Sequence, residues 1–234
     1  MGNRLLLWFL SIACVENGFW GGSESDAVNS DSAVDSAGPQ SVEFTSDHAV
    51  AIGVGFVCAV DSLGTPHCWG DDTYSVISDV PDANLVSLSA GNSFVCGVDE
   101  DGLAVCWGGV YKAEGEDRYG VESVPDARLI LLEAGNEAPY GVDGAGDVVR
   151  WGTANGAWTP DFSGVTSPAV LSVGGAVGCW VDAAGLLDCI ANGEGSTGEF
   201  GLDAPPTMRS RAVCTGINHA CVSDGEGQTA CWGD

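Results

Sequence analysis

The sequence predicts an all-β protein built from one hairpin repeated five times. Three observations predict it. A phrase anchored at Cys58, Cys96, Tyr140, Cys179 and Cys221 returns at intervals of 38, 44, 39 and 42 residues. Every copy has an aspartate three residues after the anchor and a glycine three residues beyond that, as in Asp99 and Gly102. Gly is abundant at 35 residues and Trp numbers 8, the composition of short strands joined by tight turns. A period of this length belongs to propeller blades or a solenoid.

The chain opens with "MGNR" and the short apolar run "LLLWFLSIA", too short to span a bilayer, so residues 1–13 read as an export signal. "LSIAC", ending at Cys14, resembles a bacterial lipoprotein processing site, although its leucine stands one place further from the cysteine than usual. The resemblance implies a lipid anchor on Cys14; ordinary secretion is the alternative. Residues 14–46 are rich in Ser, Asp and Gly and have no Lys or Arg. Such a stretch buries too little apolar surface to order itself and reads as an acidic tether. Phe19 and Trp20 interrupt it without an assigned role.

The folded head is expected over 47–234, with hairpins near 53–70, 91–108, 135–152, 174–191 and 216–233. Glycine stands five residues before every anchor, at Gly53, Gly91, Gly135, Gly174 and Gly216. Ten residues after the anchors come Cys68, Cys106, Arg150, Cys189 and Cys231. Trp-Gly follows in four copies, at Trp69, Trp107, Trp151 and Trp232; the fourth copy has Ile190-Ala191. The Asp-x-x-Gly phrases are turns. Aspartate bonds its own backbone further on, and glycine supplies the left-handed position of a three-residue loop. Pairing Asp61 with Thr65 places Cys58 opposite Cys68 at a non-hydrogen-bonded site, where Cα atoms approach to about 4.5 Å. The expected disulfides are therefore Cys58–Cys68, Cys96–Cys106, Cys179–Cys189 and Cys221–Cys231. The third copy has lost both cysteines together, to Tyr140 and Arg150. These either stack across the strands or leave Arg150 pointing to solvent. Cys214 stands before Gly216, where other copies have Ala51, Ser89, Glu133 and Ser172; it is expected to be a buried free thiol, with a reactive or intermolecular cysteine as the alternative.

Between hairpins, "SDVPDANLVSLSAG" (Ser78–Gly91) matches "ESVPDARLILLEAG" (Glu122–Gly135). Pro-Asp-Ala reads as a turn leading into an inner strand. The whole unit resembles the RCC1-type propeller repeat, named after the regulator of chromosome condensation. The matching features are Ala90-Gly91 and Ala134-Gly135, the Asp-x-x-Gly turn and the closing Trp-Gly. The Cys…Cys-Trp-Gly form at Cys96, Cys106 and Trp107 is similar to that of an exported bacterial branch. The family's Asn-x-x-Gly-Gln-Leu-Gly tail survives faintly at Asp117–Gly120 and Gly198–Gly201, and its usual histidine two before the first cysteine is kept only as His219, with Phe56 and Phe94 in copies one and two. The resemblance covers about residues 50–234 and implies a β-propeller. The family normally closes seven blades, and five hairpins are present here. An incomplete or open ring is expected; a small ring, a truncated product, or two chains completing one assembly are the alternatives.

Seven Lys plus Arg against 33 Asp plus Glu give a formal charge of -26. A phosphate backbone needs a positive patch, so nucleic acid is excluded as a partner. For the same reason the exchange-factor role on chromatin implied by the family's nuclear member is not carried over. Exported relatives that resemble β-lactamase inhibitors show the scaffold used for binding. No nucleophile elbow, zincin helix or phosphate loop is present, and the three histidines, His48, His67 and His219, form no constellation, so no enzymatic activity and no cofactor are expected. The acidic phrases "DEDG" (Asp99–Gly102) and "GDDT" (Gly70–Thr73) lack the ligand spacing of a calcium loop, and no metal site is assigned.

The expected function is an exported or surface-anchored binding module for an unknown protein or surface ligand, at the cell envelope or outside the cell. The alternative is a structural surface protein or a non-functional fragment of a longer propeller. Rigid blades present their loops. The longest insertion, Gly109–Ser123, holds Tyr111, Lys112 (the only lysine), Arg118 and Tyr119. The next, Thr153–Gly164, holds Trp158 and Phe162. Tyr, Trp and Arg are the residues that dominate binding surfaces. Trp158 is either exposed or packed beneath its loop. A binding module predicts an exposed aromatic patch from Tyr111, Tyr119, Trp158 and Phe162. A fragment predicts no patch and an unsatisfied sheet edge at copy five.

Overall fold

The computed structural model describes residues 50–111, 116–117, 119–153, 159–175, 177–191, 201–202 and 204–233. The export signal, the tether and Cys14 lie outside the described residues. Each repeat forms a three-stranded antiparallel sheet. Blade one contains β1 (Val50–Ile52), β2 (Phe56–Val60) and β3 (Pro66–Gly70). Blade two contains β4 (Ser87–Ala90), β5 (Phe94–Val98) and β6 (Ala104–Gly108). A small hairpin follows, β7 (Val110–Tyr111) with β8 (Glu116–Asp117). Blade three is β9 (Leu129–Ala134), β10 (Pro139–Asp143) and β11 (Val148–Arg150). Blade four is β12 (Val170–Val173), β13 (Val177–Val181) and β14 (Leu187–Ala191). Blade five is β15 (Ala212–Thr215), β16 (His219–Ser223) and β17 (Thr229–Gly233).

The aspartate turns fold as local chemistry dictates. Asp99 Oδ1 accepts the backbone N–H groups of Asp101 and Leu103, both at 2.9 Å, and the Gly102 N–H returns to the Asp99 carbonyl at 3.0 Å. The other four aspartates, Asp61, Asp143, Asp182 and Asp224, make the same pair of side-chain bonds. Gly102 sits at φ +80°, and a Cβ there would lie 2.7 Å from the carbonyl oxygen of Leu129. Glycine is therefore required twice over, by backbone conformation and by the approach of the next blade. That approach is a bond: Leu129 N–H donates to the Gly102 carbonyl at 2.8 Å, as Leu85 does to Gly64 and Ser210 to Gly185.

The registers set each anchor opposite its partner ten residues on: Cys58 with Cys68, Cys96 with Cys106, Cys179 with Cys189, Cys221 with Cys231. All four pairs are disulfides, with Cα atoms 4.0–4.1 Å apart. Tyr140 faces Arg150 in the same register. The ring of Tyr140 is buried and its hydroxyl donates to the Pro160 carbonyl at 3.1 Å, while Arg150 is exposed. Burial raises the phenol's pKa far above its ordinary range, the Arg150 charge offsetting it only in part. Cys214 corrects the expectation of a free thiol: it is disulfide-bonded, to a partner outside the described residues.

Strand alternation gives the blades apolar faces, and these stack. The leading face of blade one (Phe56, Cys58, Val60) packs on the trailing face of blade two (Leu88, Val95, Trp107). Blades two and three, three and four, and four and five repeat the arrangement. Inner strands meet in the series β1–β4–β9–β12–β15. Backbone bonds run along them from Val54 to Asn92, Asn92 to Asn136, Asn136 to Gly174 and Gly175 to Gly216. Among the described residues the series does not close on itself. The fold is an all-β, open, partial propeller of the RCC1-like type. No helix among the described residues is long and apolar enough to cross a membrane.

Candidate functional site

The insertion after blade two is held at both ends by aromatic contacts. Tyr111, on β7, packs against Tyr74 with ring centroids 5.6 Å apart. Tyr119, beyond β8, packs on the buried Phe94 at 5.8 Å. Gly109 N–H donates to the Ser93 carbonyl at 2.8 Å, and the Tyr119 carbonyl accepts the Thr153 N–H at 2.6 Å. Both tyrosines are half-buried. Part of each ring serves as a foot on the blade and part faces outward. Lys112, Arg118 and Trp158 lie outside the described residues.

Phe162 is not on an exposed face, which corrects its place in the expected aromatic patch. It is buried, edge-on to Tyr140 at 5.5 Å and to Trp180 at 6.1 Å. The cause is legible in blade four, which lacks the repeat tryptophan and has Ile190 instead. Gly178, where blades one and two have Val57 and Val95, clears space: a Cβ there would fall on the Phe162 ring. The phenylalanine fills a gap that the tryptophan fills elsewhere.

Several polar groups that hold the blades together give no signal of their own in the sequence. Ser89 and Ser172 occupy the inner-strand row opposite the anchors, and their Oγ atoms accept the Ala134 and Thr215 N–H groups of the following blade at 2.8 and 3.1 Å. They stitch blade to blade. Glu133 holds the same row position in blade three, opposite Tyr140. It keeps some contact with solvent, but protein packed around its carboxyl pushes the pKa up to about 8. Only the repeat alignment could have pointed to it, as the one long acidic side chain in a row of small ones. At the rim, His67 Nε2 lies 2.9 Å from Asp61 Oδ2, and this contact, with the Thr65 and Leu63 N–H groups, holds the Asp61 carboxyl below its ordinary range. Among the described residues no group of three or more His, Cys, Asp or Glu side chains is disposed to hold a metal ion.

No protein-family model matches the chain, and no curated protein sequence matches it. Solved structures do. The ectodomain of the receptor kinase CR4 from Physcomitrella patens is 21% identical with a TM-score of 0.61, over 79% of this chain and 49% of that one. The CRINKLY WD40 ectodomain of the Arabidopsis thaliana receptor kinase ACR4 is 22% identical at 0.61, over 79% of this chain and 64% of that one. Prp20p from Saccharomyces cerevisiae, which a second structure describes as yeast RCC1, is 14% identical at 0.63, over 79% of this chain and 56% of that one. The chain therefore spans from 49% to 64% of the length of these proteins. At such identities the likeness is one of fold: the RCC1-like β-propeller, which the repeat phrases imply.

Proposed function

We propose that this chain is an exported protein-binding scaffold whose recognition surface is the insertion Gly109–Ser123. The observation that carries this reading is the anchoring of that insertion. It leaves blade two, forms its own β7–β8 hairpin and is pinned through Tyr111 on Tyr74 and Tyr119 on Phe94. A loop fixed at its feet loses less freedom when it binds, which is how a rigid scaffold lowers the cost of recognition. The solved neighbours supply analogy: two are receptor ectodomains, and Prp20p is described with its binding to Gsp1p and histones. The non-enzymatic reading rests on the same analogy.

Export is part of the proposal. All nine cysteines of the described residues are disulfide-bonded, a state that an oxidising compartment sustains. Attachment to the envelope through a lipid on Cys14, which the "LSIAC" phrase implies, requires that Cys14 is not the partner of Cys214. The test is site-specific photocrosslinking on cells that make the protein, with a photoreactive residue at position 112 and a control at the blade-five turn, position 226. A discrete adduct from position 112 alone supports the reading. Equal adducts from both positions, or none from 112, reject it.

A second reading, that the chain acts as part of a larger propeller, is favoured by the unclosed blade series and the share of the solved neighbours it spans.

A further inference from the structure

Trp69 is a repeat tryptophan without its socket. In blades two and three the equivalent Trp107 and Trp151 are 3% and 6% exposed, and their indole N–H groups donate to the Val76 and Val121 carbonyls. Trp69 is 51% exposed. Beside it on the trailing face of blade one stand Val50, 50% exposed where the equivalent Leu88 and Leu171 are 5% and 2% exposed, and Ile52, 46% exposed where the equivalent Ala134 and Val173 are 7% and 6% exposed. This face is the same surface that blades two to five bury against a neighbour.

The other end of the series differs. The leading face of blade five would be the free surface at the far side. Two residues before its anchor it has His219, where the other blades have buried Phe56, Phe94, Ala138 and Val177. Two residues after the anchor it has Ser223, where Val60, Val142 and Val181 are buried. Its disulfide reaches solvent through an exposed Cys231, while Cys58, Cys96 and Cys179 are wholly buried. A polar face meets water at less cost than an apolar one. Blade five has a polar outer face, and blade one does not. The exposed apolar face is therefore at blade one.

We propose that the trailing face of blade one docks on the same face of a second copy of this chain, forming a two-fold dimer. Three observations select this occupant. The face is of the kind that blades two to five each press against a neighbouring sheet, there against a leading face, so it is shaped to receive another apolar sheet at about 10 Å. Its strand side chains, Val50, Ile52, Val57, Ala59, His67 and Trp69, include no carboxylate on a chain of charge -26, and the Asp61 carboxylate beside them is held by His67 at 2.9 Å. Two such faces meet with less repulsion than opposes contact elsewhere. The head-to-tail alternative would set His219 and Ser223 over Trp69, a polar cap on an apolar face. Like-on-like contact is the isologous arrangement that closes at two subunits.

The test is sedimentation velocity of the full chain under non-reducing conditions over a wide concentration range, at low and high salt. A monomer–dimer equilibrium that tightens with salt is expected, because screening weakens the repulsion between two acidic bodies. Trp69→Glu and Ile52→Glu should each weaken dimerisation at least about tenfold, and Ser223→Glu should leave it unchanged. Both positions are exposed, so near-ultraviolet dichroism should show each variant folded; two variants guard against the failure of one. A monomer at all concentrations overturns the proposal, as does growth beyond the dimer, or a dimer broken by Ser223→Glu and not by the blade-one variants. A monomer whose Trp69 is protected in oxidative footprinting would assign the face to another part of the chain or to a foreign partner, and overturns it too.

Discussion

The indole N–H of Trp107 donates to the backbone carbonyl of Val76 across 3.0 Å, from blade two to the segment that leaves blade one. Trp151 and Val121 repeat the bond one blade later, at 3.1 Å. The tryptophans of blades two and three are thus rivets to the blade before them, whereas the indole nitrogen of Trp232 in blade five is buried without a partner.

This makes equivalent tryptophans unequal. Trp107→Phe removes the donor and leaves the Val76 carbonyl buried without its partner, at a cost of about 1–3 kcal/mol. Trp69→Phe, at a half-exposed site, should change stability by less than about 0.5 kcal/mol in the monomer. Urea midpoints of the two variants, measured at a concentration below any self-association, decide it. Equal losses would mean the rivet is not what distinguishes the sites.

The four disulfides close loops of the same length, with a sequence separation of 10 in each. Loop entropy alone therefore gives each about the same value, on the order of 2–3 kcal/mol. Their surroundings differ. Cys96 and Cys106 are buried between blades, while Cys231 is exposed. Replacing Cys96 and Cys106 together by serine adds buried polar groups and lost packing, so it should cost at least about 1 kcal/mol more than the same change at Cys221 and Cys231. Thermal unfolding under non-reducing conditions ranks them. The reverse order would place the dominant effect in the unfolded chain.

Gly102 is expected to tolerate no side chain. Gly102→Ala places a methyl group 2.7 Å from the Leu129 carbonyl at φ +80°. Gly227 has a similar φ of +88°, and a Cβ there would meet nothing within 4 Å. Gly227→Ala should cost about 1–2 kcal/mol, the backbone term alone. Gly102→Ala should cost clearly more. Equal destabilisation of the two in urea titrations would show that blade two yields to the methyl group.

Much of this fold is legible in the sequence because the repeat checks itself. One copy of Asp-x-x-Gly is a turn anywhere, but five in register fix strand pairing, and pairing places Cys58 on Cys68 and Tyr140 on Arg150. The surface is less legible because exposure is not a property of the repeat. Trp69, Trp107 and Trp151 read alike in sequence, and only the order of blades in space separates them. Phe162 departs from its expected exposure for the complementary reason. Its burial depends on Gly178 and Ile190, distant residues that open the gap it fills. Cys214 departs from the expected free thiol because its pairing is not one of the hairpin pairings that the repeat reveals.

The state of Cys214 reports on the processing of the chain. A sulfur that carries a lipid cannot also form a disulfide, and the eight hairpin cysteines pair among themselves. Cys214, which is buried and disulfide-bonded, should resist iodoacetamide in the denatured, unreduced protein and react only after reduction. Peptide mass mapping reads the result. Alkylation before reduction would leave Cys14 available for the lipid anchor.

Glu133 gives the stability a pH dependence of known sign. Its carboxyl has an ordinary value of 4.5 in the unfolded chain and is pushed up to about 8 in the folded one, by burial. Between those values the folded state holds a proton that the unfolded state releases. Stability from this group is fully present below 4.5, falls as pH rises through the window, and levels off above about 8. The opposite slope comes from carboxylates such as Asp61 and Asp71, whose hydrogen bonds lower their pKa values. The comparison is therefore made between variants rather than along one curve. Glu133→Gln is neutral at every pH and keeps the shape of the side chain. Its urea midpoint should exceed the parent's at about pH 9, and the gap should shrink steadily toward about pH 5. A gap that does not change with pH would mean that the carboxyl of Glu133 titrates alike in both states, with the inner strand of blade three open to water.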